Sequence, residues 1–162
     1  MSELTEAQLL TLKNSVLADP VLGILPASSN AINDIIAAYS KPAAPAFTVW
    51  KTLVPIGSVG KGFNSAELGG LTTANTNRLI ALAHYLLDGI DPSQASSRAF
   101  FDDIFSGAGG ALTRASLAVL WKRQASRLEV LFATGTGSDA SPATLGYDGA
   151  LSYNDVRLAM GW

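Results

Sequence analysis

Apolar positions along this chain recur mainly with the period of an α-helix, and capping residues punctuate the recurrence. Leu9, Leu12 and Val16, with Leu10 and Leu17 beside them, make a first stripe at helical spacing. Thr5 and Gln8 are spaced as in a capping box, and Leu4 and Leu9 are placed for the accompanying staple, so a helix is predicted from Glu6. Asp19-Pro20 ends it, because the residue before a proline is driven out of the helical region. Val21 to Pro26 reads as a packed connection. Ser28, Ser29 and Asn30 then offer caps for a second helix, in which Ile32, Ile35, Ile36 and Tyr39 share a face before Lys41-Pro42 stops it.

From Ala46 to Val54 two periods compete. Phe47, Trp50 and Leu53 or Val54 fit a helical stripe, the preferred reading, while Phe47, Val49, Lys51 and Leu53 alternate as a strand would. Pro55, Gly57, Gly60, Gly62, Gly69 and Gly70 predict a long loop with at most one turn around Ser65 to Leu68, acting as a partner-contacting arm. A third major helix should run from Thr72 or Thr73 to Asp88 and stop at Gly89. Leu79, Ile80, Leu82, Ala83, Leu86 and Leu87 cover more than half its circumference, which places it in the middle of a bundle. Asp91 as cap, Pro92 in the first helical position and Gln94 start the next helix, with Phe100, Phe101, Ile104 and Phe105 on its apolar side.

Leu112 to Gly137 is the longest uninterrupted helical pattern. Leu117, Leu120, Trp121, Leu128, Leu131 and Phe132 face inward, Arg123 and Arg127 lie one turn apart on another face, and Gly135 and Gly137 close it. Beyond it, residues 138–143 read as a mobile tether, Leu145 to Leu151 as a short strand or hairpin around Asp148-Gly149, and Ser152 with Asp155 as the cap of a last short helix. The pattern predicts a mainly all-α fold: a bundle of about four to five helices with long loops over residues 1–134, then a flexible C-terminal arm over residues 135–162.

Composition sharpens this in one respect. Hydrophobic residues make up 48% and charged residues only 15% of 162 positions, against about 25% charged in an average domain. Either apolar patches mate with other subunits, or the many alanines inflate the count. There is no cysteine, so disulfides, thiolate chemistry and cysteine-ligated metals are out. The acidic start lacks the basic and apolar regions of a signal peptide, and no apolar run reaches the ~20 residues of a bilayer span, so a cytosolic site of synthesis is expected. A net charge of −2 supplies no global attraction to nucleic acid or acidic membranes.

Candidate chemistry is sparse. His84, the one histidine, sits among apolar neighbours and reads as a core residue; a hydrolase built on it would need a nucleophile elbow, and no G-x-S-x-G is present. Nor is there an H-E-x-x-H pair for zinc. Asp102 and Asp103 diverge by about 100° on a helix and read as a solvated face. The glycines at 135 and 137 mimic a dinucleotide fingerprint but follow a helix where that motif must follow a strand. Gly107 to Gly110, feeding a helix N-terminus, is either a tight turn or an anion site built from free N–H groups. Arg114, Lys122, Arg123 and Arg127 are the one basic concentration, suited to a solvated face, a partner's carboxylates or DNA phosphates. No catalytic residue, cofactor site or metal site is expected.

Leu131 to Gly137 with Ser138 to Thr144, then Gly149 to Val156, resemble a family of small virion proteins of tailed bacteriophages. Leu4 to Leu10 through Asp19-Pro20, and Tyr39 through Pro45 to Trp50, are similar to the same family; Pro55 to Leu71 departs from it, being short and glycine-rich. The family looks like the helical head-to-tail connector or neck adaptors that form a ring beneath the portal. The resemblance implies a non-enzymatic structural protein of the virion. Its expected partners are further copies of itself in a homo-oligomeric ring, the portal protein, tail or neck proteins, and the DNA that passes through. Besides the four basic residues, Tyr147, Tyr153 and Trp162 are expected to bind partners, since the C-terminal segment would reach a neighbouring subunit or the portal. The competing expectation is a DNA-binding or regulatory helical module, or another capsid or tail completion protein.

Overall fold

At Thr5 and Ser152 the capping box in the sequence begins a helix. In the computed structural model, which describes residues 4–85 and 88–162, α1 (Glu6–Ala18) is capped by Thr5, whose hydroxyl accepts the Gln8 N–H while the Gln8 side chain accepts the Thr5 N–H. Helix α2 (Ser29–Tyr39) is capped by Ser28. The same box, Ser152 with Asp155, opens α9 (Tyr153–Met160), which ends on Gly161 at φ 74°. Asp155 is fully buried, and its carboxylate also accepts the Leu4 N–H at 3.4 Å.

The pattern from Leu112 to Gly137 is not one helix. It is α7 (Ala111–Leu120), a strand β2 (Lys122–Gln124) and α8 (Arg127–Phe132). Trp121 caps the first helix, and Ser126 starts the second by a capping box with Glu129, so the chain re-enters helix with its own start signal. Arg123 and Arg127 therefore do not share a helical face. The segment before Pro55 is also extended: β1 (Thr48–Trp50) has Val49 fully buried between two half-buried neighbours, the period of two that a strand imposes. β1 and β2 pair as a two-stranded antiparallel sheet, and Lys51 donates its N–H to the Trp121 carbonyl at 2.8 Å.

Two short helices, α3 (Ile56–Lys61) and α4 (Ser65–Gly69), replace the long loop expected between Pro55 and Gly70. Asn64 caps α4 by accepting the N–H groups of Ala66 and Glu67. α5 (Thr73–Tyr85) begins where expected, but Ile80 is exposed and Leu79 and Leu82 are half-buried, so it is not a central helix. Leu86 and Leu87, on which that expectation also rested, and the His84 side chain, expected in the core, lie outside the described residues. α6 (Ala95–Ile104) starts at Gln94 and not at Asp91: the Asp91 carboxylate turns back to the N–H and hydroxyl of Ser93 and holds a turn there. A 3-10 turn (Ala108–Gly110) leads into α7.

The chain gathers into two compact units. One is built from Met1–Thr48 and Gln124–Trp162, the other from Val49–Arg123, a division that does not follow the glycine-broken exit at residue 135. In the first unit α9 packs on α1 and α2, and Leu12, Val16, Ile32, Ile35, Tyr39, Leu128 and Val156 form the core. The C-terminal segment is thus part of a core and not an extended arm. Its apolar Leu151, Val156 and Ala159 are buried, which removes more apolar surface from water than an exposed arm could. Residues 135–144 are tied down as well: Thr134 and Thr144 exchange N–H to carbonyl bonds of 2.8 and 2.9 Å, and Thr48 donates to the Gly137 carbonyl at 2.7 Å. The hairpin expected around Asp148-Gly149 is absent; that pairing of Thr134 with Thr144 is what forms.

The second unit buries Val54, Val59, Ile90, Phe101, Ile104, Phe105, Leu117 and Trp121. Phe101 meets the Trp121 ring edge-on at 5.4 Å. No helix among the described residues is long and apolar enough to cross a membrane.

Candidate interaction surface

The basic residues that sequence spacing groups together are separated by the fold and occupied by it. Arg114 lies on α7, where its guanidinium donates to the carbonyls of Phe105 and Gly107, the second at 2.9 Å, closing the carbonyl end of α6. Arg127 opens α8 in the other unit. Its Nη2 donates to Asp19 Oδ2 at 2.7 Å, and its guanidinium stacks over the Tyr39 ring at 4.4 Å. Lys122 and Arg123 are half-buried on β2, and each has an interaction within the chain. These four do not form a free basic stripe.

Asp19 shows how far such pairing shifts a group. Its carboxylate accepts the N–H groups of Leu22 and Val21 at 3.0 and 2.9 Å and the Arg127 guanidinium, and its pKa falls to about 2.

Of the C-terminal candidates, Tyr147 donates its hydroxyl to the Ala150 carbonyl at 3.1 Å and sets its ring edge-on to Phe132 at 5.9 Å. Trp162 is half-buried against the first core, and its N–H donates to the Arg157 carbonyl at 3.0 Å. Tyr153 remains 45% exposed, with its hydroxyl 3.2 Å from Ser29 Oγ. Tyr153 is therefore the member of that trio that presents a large side chain to the surface.

Surface apolarity was visible only as bulk composition; the structure locates it. α1 carries large apolar side chains on both sides, with Leu12 and Val16 inward and Leu10 and Leu17, two turns apart, outward. Val21 and Ile24, the latter 81% exposed, follow in the turn after it. On α7, Leu112 and Val119 (73% exposed) also lie two turns apart, with Ala111, Ala115, Ser116 and Ala118 exposed around them. The α7 face is free of charge, whereas on α1 Glu6 and Lys13 share the outward side with Leu10 and Leu17. The signal was present as spacing, but the inward stripes used the same residue types.

Gly107 to Gly110 forms the turn of the two readings, with Gly110 donating its N–H to the Gly107 carbonyl, and the helix beyond it is capped by one of the chain's own carboxylates. Glu67 accepts the N–H groups of Leu112 and Thr113 at 2.9 and 2.7 Å, capping α7 from 45 residues away. Desolvation pushes that carboxyl up, but the two N–H bonds, the Thr113 side chain and the nearby Arg114 outweigh it and hold the pKa below its ordinary value. Both buried acids, Glu129 and Asp155, serve helix caps, and among the described residues no group of three His, Cys, Asp or Glu side chains is placed to hold a metal ion.

One cleft in the first unit has a volume of about 460 Å³, between residues 41–47 and α8. No family model matches this chain, and no curated protein or solved structure matches it either.

Proposed function

We propose that this protein is a non-enzymatic structural component of a tailed-phage virion, a head-to-tail connector that joins portal to tail as a homo-oligomeric ring. The observation that carries the reading is the set of large apolar side chains left exposed on two helices, Leu112 with Val119 on the uncharged face of α7 and Leu10 with Leu17 on α1. Large apolar side chains held in water at regular helical spacing suit burial against other subunits. The virion setting rests on the resemblance of residues 131–144 and 149–156 to small virion proteins of tailed phages. The alternative, a DNA-binding module, draws no support from Arg114 and Arg127, whose guanidinium groups bond to the chain itself.

The test is assembly state. Light scattering on the purified chain should give a multimer, and Leu112→Asp with Val119→Asp should dissociate it while leaving the far-UV circular dichroism unchanged, because both positions are exposed. A chain that stays monomeric at high concentration and is missing from purified particles overturns the proposal.

A further inference from the structure

The cleft beside α8 combines three features that nothing above has used together. Its floor is apolar, with Phe47, Val130 and Leu131 among its lining residues. Two cations line it. Lys41 is exposed and has no ion pair among the described residues, whereas Arg127 is pinned in place by Asp19 and Tyr39. The wall formed by residues 41–47 is tied along one side only. Ala43 donates to the Ala125 carbonyl at 2.9 Å, Ala125 donates to the Phe47 carbonyl at 2.8 Å, and Arg127 donates to the Lys41 carbonyl at 2.8 Å. The backbone groups of Ala44, an exposed residue that lines the cleft, make no hydrogen bond among the described residues.

A small apolar ligand would use the floor and leave the rest idle. An extended chain can use all three: its side chain fills the floor, its own peptide groups pair with unbonded backbone, and a carboxylate meets the cation. We infer that this cleft docks an extended segment of a partner protein, with an apolar side chain among Phe47, Val130 and Leu131 and an adjacent Asp or Glu carboxylate on Lys41. The inference rests on the assembly reading, since it takes the partner to be a neighbouring virion protein. Pro42 and Pro45 stiffen the wall, so little order has to be gained on binding.

The full chain, labelled with ¹⁵N, is titrated with blocked tetrapeptides: acetyl-Gly-Leu-Glu-Gly-amide, the same peptide with Gln for Glu, and the same with Ser for Leu. The Leu-Glu peptide should shift the amides of Lys41, Ala44 and Val130 saturably. It should bind about three-fold tighter than the Leu-Gln peptide, the size expected of one partly exposed ion pair. Lys41→Gln, a change at an exposed side chain, should erase that difference and leave the spectrum otherwise intact. Equal binding of the Glu and Gln peptides, or shifts confined to other amides, overturns the proposal. The two readings fail separately: a chain found in particles whose cleft ignores the peptides removes the cleft proposal alone, and a chain whose cleft binds the Leu-Glu peptide but which is missing from particles removes the assembly reading.

Discussion

Arg127 carries the largest change of meaning for a single residue. Spacing places it on a basic helix face, yet its guanidinium binds the carboxylate of Asp19, 108 positions away, and lies on the Tyr39 ring. The sign of the resulting pH dependence follows from Asp19. Its pKa is lowered from 3.8 to about 2 in the folded chain, so the contribution is fully present above pH ~4 and is lost as pH falls toward 2. Asp19→Asn should therefore lower the urea midpoint at pH 6, and the gap to the unaltered chain should narrow as pH falls below 4. A gap that stays constant down to pH 2 would mean that the pair contributes nothing through charge. Glu67 acts in the same direction, since its pKa too is lowered by folding.

Among the elements, the break between α7 and α8 decides most. The apolar stripe continues across it, which is why periodicity alone joins the two helices. The signal that separates them is local: Ser126 and Glu129 form a capping box, in which Glu129 accepts the Ser126 N–H at 2.7 Å. Ser126→Ala should cost about 1 kcal/mol, the usual size for loss of such a cap, read as a lower urea midpoint with an unchanged slope. No comparable signal announces the cap on α7. Gly110 precedes that helix without a side chain to offer, and the carboxylate that serves it comes from α4. A cap supplied by tertiary contact has no sequence spacing by which it could be read. The strand at Thr48–Trp50 has the same origin, because a short apolar run becomes strand or helix according to what it pairs with.

For the whole molecule, each unit has its own core, and the second is anchored by aromatic rings. Phe101 is 2% exposed and touches Phe100, Phe63 and Trp121 by ring contacts. Phe101→Ala should destabilise by about 3–5 kcal/mol and weaken the near-UV signal of Trp121, since the cavity it leaves lies against that indole. An unchanged near-UV spectrum would show that the ring packing described for this unit is wrong. At the surface, low charge is not evenly spread. The face of α7 with Leu112 and Val119 carries no charge, and that is where the assembly proposal can be tested.

By itself, the sequence determined the mainly helical class and the starts of α1, α2 and α9, because capping and helical period are set by residues three or four apart. Tertiary structure decided the rest: the strands, the two-unit division, the packing of the C-terminal segment into a core, the occupation of the arginines, and which apolar faces stay in water. The physical reason is common to all of these. An apolar or charged side chain is the same in sequence whether it faces inward, bonds a distant carbonyl or waits for a partner, and only the closed chain shows which contacts have been made.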